Sequence, residues 1–350
     1  MPVVPVLVSN KFTYAAAKQS AWGTAATNPD YQIPVYNGTN VAPTQERSDL
    51  ELINGQAFLP GEYVTGAGGG GLANFAAHPT SNGRIFAAHF GTASDTITGA
   101  GDPYTHTFAR KDTPLPHTFW VGAPLSSSTT QYDRLEDAVC TQVQIIYTAG
   151  QFIQVGSTWL AARSVGNATT PTPTTTIAIP SAGVFGHTWA RAVLKIDAAT
   201  TPAATAVTYL TDFTITSAYP NAAFVKTQNV TGDFYSAGLY ALDFTATGLM
   251  QNRDFHNLTF YGSVTPGANA AMTTLAVSGA LDFLIDQEPT SANRTLQIQI
   301  PYIQFSIDGA AEPSASADPV TVALKGKLSL PASGEPITVI QKSSVSTSYS

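Results

Sequence analysis

The 350-residue chain is 43% hydrophobic but only 11% charged, under half the usual charged share of a soluble globular protein, so Thr, Ser, Ala, Asn and Gln must dress much of its surface. Its formal charge of -7 sets 23 acidic residues against 16 scattered basic ones, with Arg110 and Lys111 the only adjacent basic pair, which excludes a basic patch for gripping nucleic acid. The single cysteine, Cys140, excludes an intrachain disulfide framework, and no run of about eighteen apolar residues reads as a membrane-spanning helix.

In chain order, MPVVPVLVSNKF has two prolines and no basic residue before its short apolar run, a poor signal peptide. A soluble protein made in the cytoplasm is therefore expected. Residues 1–26 read as an extended arm with few apolar anchors besides Trp22, expected to order mainly on binding. LELINGQAF has the alternation of a strand, whereas the glycine-dense stretch Gly66 to Gly71, GAGGGG, reads as a flexible surface loop. Ser81 to Gly91, SNGRIFAAHFG, predicts a helix: a Ser or Asn start, an apolar stripe at Ile85, Phe86 and Phe90, and a Gly stop.

YTHTF predicts a strand, followed by a turn flanked by His106 and His117, which are expected to form a surface pair across it. VCTQVQIIYTAGQFIQV predicts a long hairpin turning at Thr148-Ala149-Gly150, with Cys140 a buried small hydrophobe. Asn167 to Thr176, NATTPTPTTT, must be extended because proline supplies no ladder donor. Further strands follow in RAVLKID, AVTYLTDFTIT, GLYALDFTATG, TTLAVSGALDFLID, LQIQIPYIQFSID and VTVALKGKLSL, interrupted by a second, weaker helix pattern from Asn252 to Gly262. The chain is thus mainly β. It is divided into the arm (1–26), a first part (27–166), the Thr/Pro segment (167–176), a second part (177–345) and a short tail (346–350), all within one elaborated domain.

Catalytic chemistry finds no foothold. The glycine stretch lacks the Lys-Ser/Thr ending of a phosphate loop, and none of the six histidines stands in metal-ligand spacing. No G-x-S-x-G nucleophile elbow occurs. The carboxylates of Asp133, Glu136 and Asp137, and of Glu46, Asp49 and Glu51, each accompany an arginine, Arg134 or Arg47, and read as surface or subunit-contact ion pairs. No catalytic residue, metal or cofactor is expected. Trp22, Trp120, Trp159 and Trp189 offer an alternative, a stacking platform in a carbohydrate-binding β protein, set against ordinary core packing.

The order of these features resembles the major tail tube proteins of long-tailed, siphovirus-type bacteriophages. The resemblance runs from FTYAAAKQSAWGTAA (Phe12 to Ala26) through YQIPV, ERSDLEL, the glycine stretch and the short helix. It continues in PYTHTFARKDTPLP (Pro103 to Pro116) and YDRLEDAVCTQVQIIYTAGQFIQVGSTW, and ends in AVSGALDFLID and LQIQIPYIQFSIDG. It implies an antiparallel β-sandwich of the tail tube type with one or two short flanking helices. Its copies would form rings stacked into a hollow conduit for DNA ejection, six to a ring or three of a doubled unit. The implied partners are the protein itself, a tape measure protein, and tail terminator or tail-tip proteins, with double-stranded DNA as transient cargo. Another phage structural part, a capsid decoration or tail-tip component, is the alternative. Under this resemblance Trp22, Gly66, Gly69 and Gly70 are the expected contacts between subunits. Gln142, Gln144 and Gln151 are the expected lumen residues, on a wall that is neutral to acidic because repeated lysines would hold passing phosphates.

Overall fold

Side-chain alternation decides which way each strand faces. From Thr295 to Ile307, Leu296, Ile298, Ile300, Ile303 and Phe305 are buried, while Gln297 and Gln299 are half-buried and Gln304 and Ser306 exposed. The one break in the two-residue period, between Ile300 and Ile303, coincides with an extra residue at Pro301-Tyr302. That bulge keeps both isoleucines inward and places the proline where no ladder donor is needed.

The computed structural model describes residues 12–33, 35, 38–49, 62–78, 81–90, 95–99, 101, 103–110, 114–124, 130–168, 190–197, 206–207, 209–225, 233–236, 240–249, 253–263, 265–273, 277–286, 294–307, 321–328 and 334–349. Its elements are β1 (Thr13–Lys18), β2 (Tyr31–Ile33), β3 (Ala42–Asp49), β4 (Glu62–Ala76), α1 (Asn82–Phe90), β5 (Asp95–Thr98), β6 (Tyr104–Ala109), β7 (His117–Pro124), β8 (Thr130–Thr148) and β9 (Gln154–Ala168). There follow β10 (Ala190–Asp197), β11 (Ala206–Val207), β12 (Tyr209–Ala218), β13 (Ala223–Val225), β14 (Asp233–Tyr235), β15 (Ala241–Leu249), α2 (Asp254–Tyr261), β16 (Val277–Asp286), β17 (Thr295–Ile307), β18 (Thr321–Leu328) and β19 (Thr338–Ser343). The chain is mainly β, as its patterning predicts.

The long strand β8 organises the rest. Its first half pairs with β7 and its second half with β12, while β9 follows it along most of its length. From β12 the antiparallel ladder continues through β15, β18, β17 and β16 to β10. It then curls back on itself: Phe213 of β12 meets Phe283 of β16 edge-on at 4.7 Å although the two strands share no ladder. Tyr147 stacks on Phe213 at 5.2 Å, and Phe244 meets Phe305 at 6.1 Å, so aromatic rings fill the space between two packed layers. Strands from before and after the Thr/Pro segment share this sheet, in the pairs β8–β12 and β6–β19; residues 169–176 of that segment lie outside the described residues.

Helix α1 is buried at every position but Arg84. Phe86 packs on Phe108 of β6 at 5.7 Å. Both predicted helices form. The second ends at Gly262, whose left-handed φ of 70° lets its N–H reach Leu258 O; the expected caps Gly91 and Asn252 lie outside the described residues. The hairpin also turns where expected, with Gly150 at φ 84°.

Three expectations are corrected. The glycine-dense stretch is no loop: it is the middle of β4, paired with β3 on one side and β9 on the other. Glycine serves close approach there, since a Cβ on Gly68 would lie 2.7 Å from Ala161 O and one on Gly69 2.5 Å from Leu135 Cδ2. His106 and His117 are not a surface pair. Both are buried, on strands that do not pair: His106 faces Val345 O and the Tyr349 ring, and His117 lies edge-on to Trp159. Finally, from Thr13 onward the arm is part of the fold, because β1 pairs with both β7 and β2 and buries Tyr14, Ala15, Ala16 and Ala17. The C-terminal tail is also built in: Tyr349 is buried against His106 and Phe108, with Arg84 donating to its carbonyl.

Candidate functional site

One broad surface among the described residues is the outward side of the curled sheet. Ladder partners share a face, so the registers place Asn74, Gly156, Gln144, Thr216, Asp243, Lys327 and Gln304 in one row across six ladders. Gln144 donates to Thr216 Oγ1 at 3.3 Å, and the next row brings Thr214, Thr245, Lys325 and Ser306 side by side. Gln142 lies on the same side of β8, two residues along, and Gln151 is exposed at the hairpin turn. Two of the three expected lumen residues thus share a broad face made of amides and hydroxyls. Among the described residues its charges include Asp243, directly opposite Lys327, together with Lys325, Asp212, Lys342 and Asp282, which accepts from Gln297 at 2.8 Å. Sequence patterning alone missed the two lysines, although their alternation in VTVALKGKLSL already puts them together.

A second surface gathers apolar groups. Trp22 is 45% exposed and stacks on Phe234 of the β13–β14 hairpin, ring centroids 6.2 Å apart and nearly parallel. Val225 and Tyr235, on the opposite face of the same hairpin, are about half exposed. Beside it, Gly68, Gly69, Ala161, Ala162 and Phe224 line a groove between that hairpin and β3, β4 and β9, with Thr44 and Glu46 of β3 as its polar members. Of the expected contact glycines, Gly69 lines this groove, and Gly66 and Gly70 lie in the same strand. Val225 and Tyr235 had no sequence signal beyond their apolar nature.

Behind Trp22 lies a cluster of charges. Arg134 pairs with Glu136 at 2.6 Å, and Arg163 pairs with Asp137 at 2.8 Å and Glu136 at 3.5 Å. The carboxylates are largely buried rather than on the surface, but each has its arginine. Glu46 stays exposed on β3, where Arg47 binds Gln45; the Asp49 side chain and Glu51 lie outside what the structure describes.

One largely buried polar cluster has the residue types of a catalytic site. His89 Nδ1 lies 3.1 Å from Cys140 O, which can only accept, so Nδ1 carries the proton. Nε2 therefore accepts, from Ser217 Oγ at 2.6 Å or Tyr240 Oη at 2.7 Å, and those hydroxyls bond to each other. Tyr219 Oη donates to His89 O at 2.8 Å. Burial holds His89 neutral, with its pKa lowered to about 4, and pushes the Tyr240 phenol and the Cys140 thiol up. His89 and Cys140 are fully enclosed and Tyr240 is half-buried, so the cluster joins α1 to β8 and β12 from within. Among the described residues, no group of His, Cys, Asp and Glu is arranged to hold a metal ion, and no helix is long and apolar enough to cross a membrane. Trp120 and Trp159 are core residues, and Trp189 lies outside the described residues, so the tryptophans form no shared platform among those described.

The described residues thus form a two-layer β fold with a wide, weakly charged sheet face and a separate apolar patch around Trp22. A model of the phage tail tube protein family matches residues 9–334; the chain belongs to that family and is a structural component of the phage tail. No match was found among curated proteins.

Proposed function

We propose that the protein is the major tail tube subunit of a long-tailed, siphovirus-type phage. Its copies form rings, six to a ring, that stack into the hollow conduit for DNA ejection. Tape measure, tail terminator and tail-tip proteins are its partners in the virion, and double-stranded DNA passes as transient cargo. No catalysis, metal or cofactor is involved. Trp22, the groove at Gly69, and Gly66 and Gly70 of the same strand belong to contacts between copies.

The observation that carries this reading is the hydroxyl- and amide-bearing row through Gln144 and Thr216, whose basic residue Lys327 stands opposite Asp243. DNA presents about one negative charge per 1.7 Å of duplex axis, and phosphates are held by Lys and Arg. A wall of amides and hydroxyls with balanced charge gives the phosphates nothing to adhere to, so the duplex slides. Gln142, Gln144 and Gln151 face that lumen.

The double substitution Gln142→Lys, Gln144→Lys tests it. Tubes should form at the wild-type level while DNA ejection slows, most strongly at low salt, because each added phosphate contact is salt-dependent. Unchanged ejection across the salt range would remove these glutamines from the lumen.

A further inference from the structure

We propose that Asp137 pre-orders the Trp22 loop for contact between copies, acting as a positioning residue for assembly. The proposal rests on the reading of Trp22 as such a contact. Asp137 sits where the β7–β8 ladder gains an extra residue, the register passing from His117↔Ala138 to Phe119↔Leu135. Its φ of 52° is left-handed, a conformation that Asp tolerates better than most residues and that bulges often assign to glycine. A glycine would satisfy the backbone but supply no carboxylate. The bulge re-aims this side chain toward the arm.

The carboxylate is then fully used. It accepts from Gly23 N–H at 2.7 Å and from Arg163 at 2.8 Å. In the amide orientation that satisfies every partner, buried Gln19 donates to Asp137 Oδ1 at 2.8 Å and accepts from Asp137 N–H at 3.0 Å. Thr118 completes the tie, donating to Gln19 at 3.0 Å and accepting from Ala26 N–H at 2.8 Å. The loop is thus held at residues 19, 23 and 26, closed on itself by Thr24 N–H to Ala21 O at 3.2 Å, with Trp22 at its apex. None of these bonds uses the Trp22 side chain, which stays 45% exposed. Ordering the loop is therefore complete before any partner arrives, and binding loses less conformational freedom as a result. Arg134, Glu136 and Arg163 surround the carboxylate and balance its charge.

The test compares Asp137→Asn with Trp22→Ala in the full-length protein, using hydrogen exchange of residues 19–26 in dilute monomer and the concentration at which tubes appear. Asp137→Asn keeps size and tolerance of the left-handed backbone but turns an amide toward Arg163. It should speed exchange across the loop and raise the assembly concentration, each by about tenfold, the scale of one charge-assisted hydrogen bond. Trp22→Ala should raise the assembly concentration with loop exchange unchanged. Wild-type exchange in Asp137→Asn overturns the proposal whatever Trp22→Ala does, and so does a loosened loop that assembles normally while Trp22→Ala fails. Normal assembly of Trp22→Ala overturns the contact reading itself, and with it the assembly role of Asp137. If Asp137→Asn does not fold, Gln19→Leu takes its place, removing the bridging amide while leaving Asp137 and Trp22 intact. It should speed loop exchange and raise the assembly concentration, and wild-type behaviour in either readout overturns the proposal.

Discussion

Acidification should weaken the fold through His89, by an amount that follows from its burial. The imidazole has an ordinary pKa of 6.5, and in the folded chain it is held at about 4 because a charged ring would be stripped of water between α1, β8 and β12. The unfolded chain therefore takes up the proton first. Stability from this group is complete above pH 6.5, falls as pH drops through the interval from 6.5 to about 4, and levels off below it. The full interval corresponds to about 3 kcal/mol, of which about 2 kcal/mol is gone by pH 5. His117, held at about 3 by burial and then by the charge of Arg84, adds a loss of the same sign. The assay is urea unfolding of dilute monomer at pH 7 and pH 5, for wild type and His89→Gln. Glutamine loses part of the hydrogen bonding, so the variant should be weaker at pH 7 by about 1 kcal/mol or more, but it has no proton to gain. Its loss between pH 7 and pH 5 should be smaller than the wild-type loss by about 2 kcal/mol. Equal losses in the two proteins would refute the reasoning, because the buried ring would then carry no linked proton.

Gly68→Ala should destabilise by about 1–3 kcal/mol, as the new methyl meets the Ala161 carbonyl within the β4–β9 ladder; Gly267→Ala, where nothing lies within 4 Å, should stay within about 0.5 kcal/mol in the same urea assay. Tyr349→Ala should cost about 3 kcal/mol by removing a ring packed on Gly83, His106 and Phe108. A midpoint unchanged within error would mean that the C-terminal tail is not part of the core.

The parts of this fold that are legible in the sequence are those set by local pattern. Leu296 to Phe305 announce a strand with one buried face because alternation needs no knowledge of partners, and the turn at Gly150 and the stop at Gly262 follow from backbone freedom alone. What stays hidden depends on neighbours distant in the chain. Gly66 to Gly71 look flexible until Ala161 and Leu135 are seen to press against them. His106 looks like a surface residue until Val345, 239 residues away, accepts its hydrogen bond. The neutral face is half visible: alternation along β8 sets Gln142 and Gln144 on one side, but the ladder that places Lys327 opposite Asp243 follows from neither strand alone. The apolar patch needs the β13–β14 hairpin to bring Phe234 under Trp22, a meeting of residues far apart in the chain that no local rule anticipates.

The most direct test of the central claim is electron cryomicroscopy of the purified protein after concentration, with helical reconstruction of whatever forms. Stacked rings around an open channel, with Gln142, Gln144 and Thr216 on the inner wall and Trp22 between subunits, are the expected result. Particles that stay monomeric at every concentration, or tubes whose channel is lined by unpaired lysines and arginines, would contradict it.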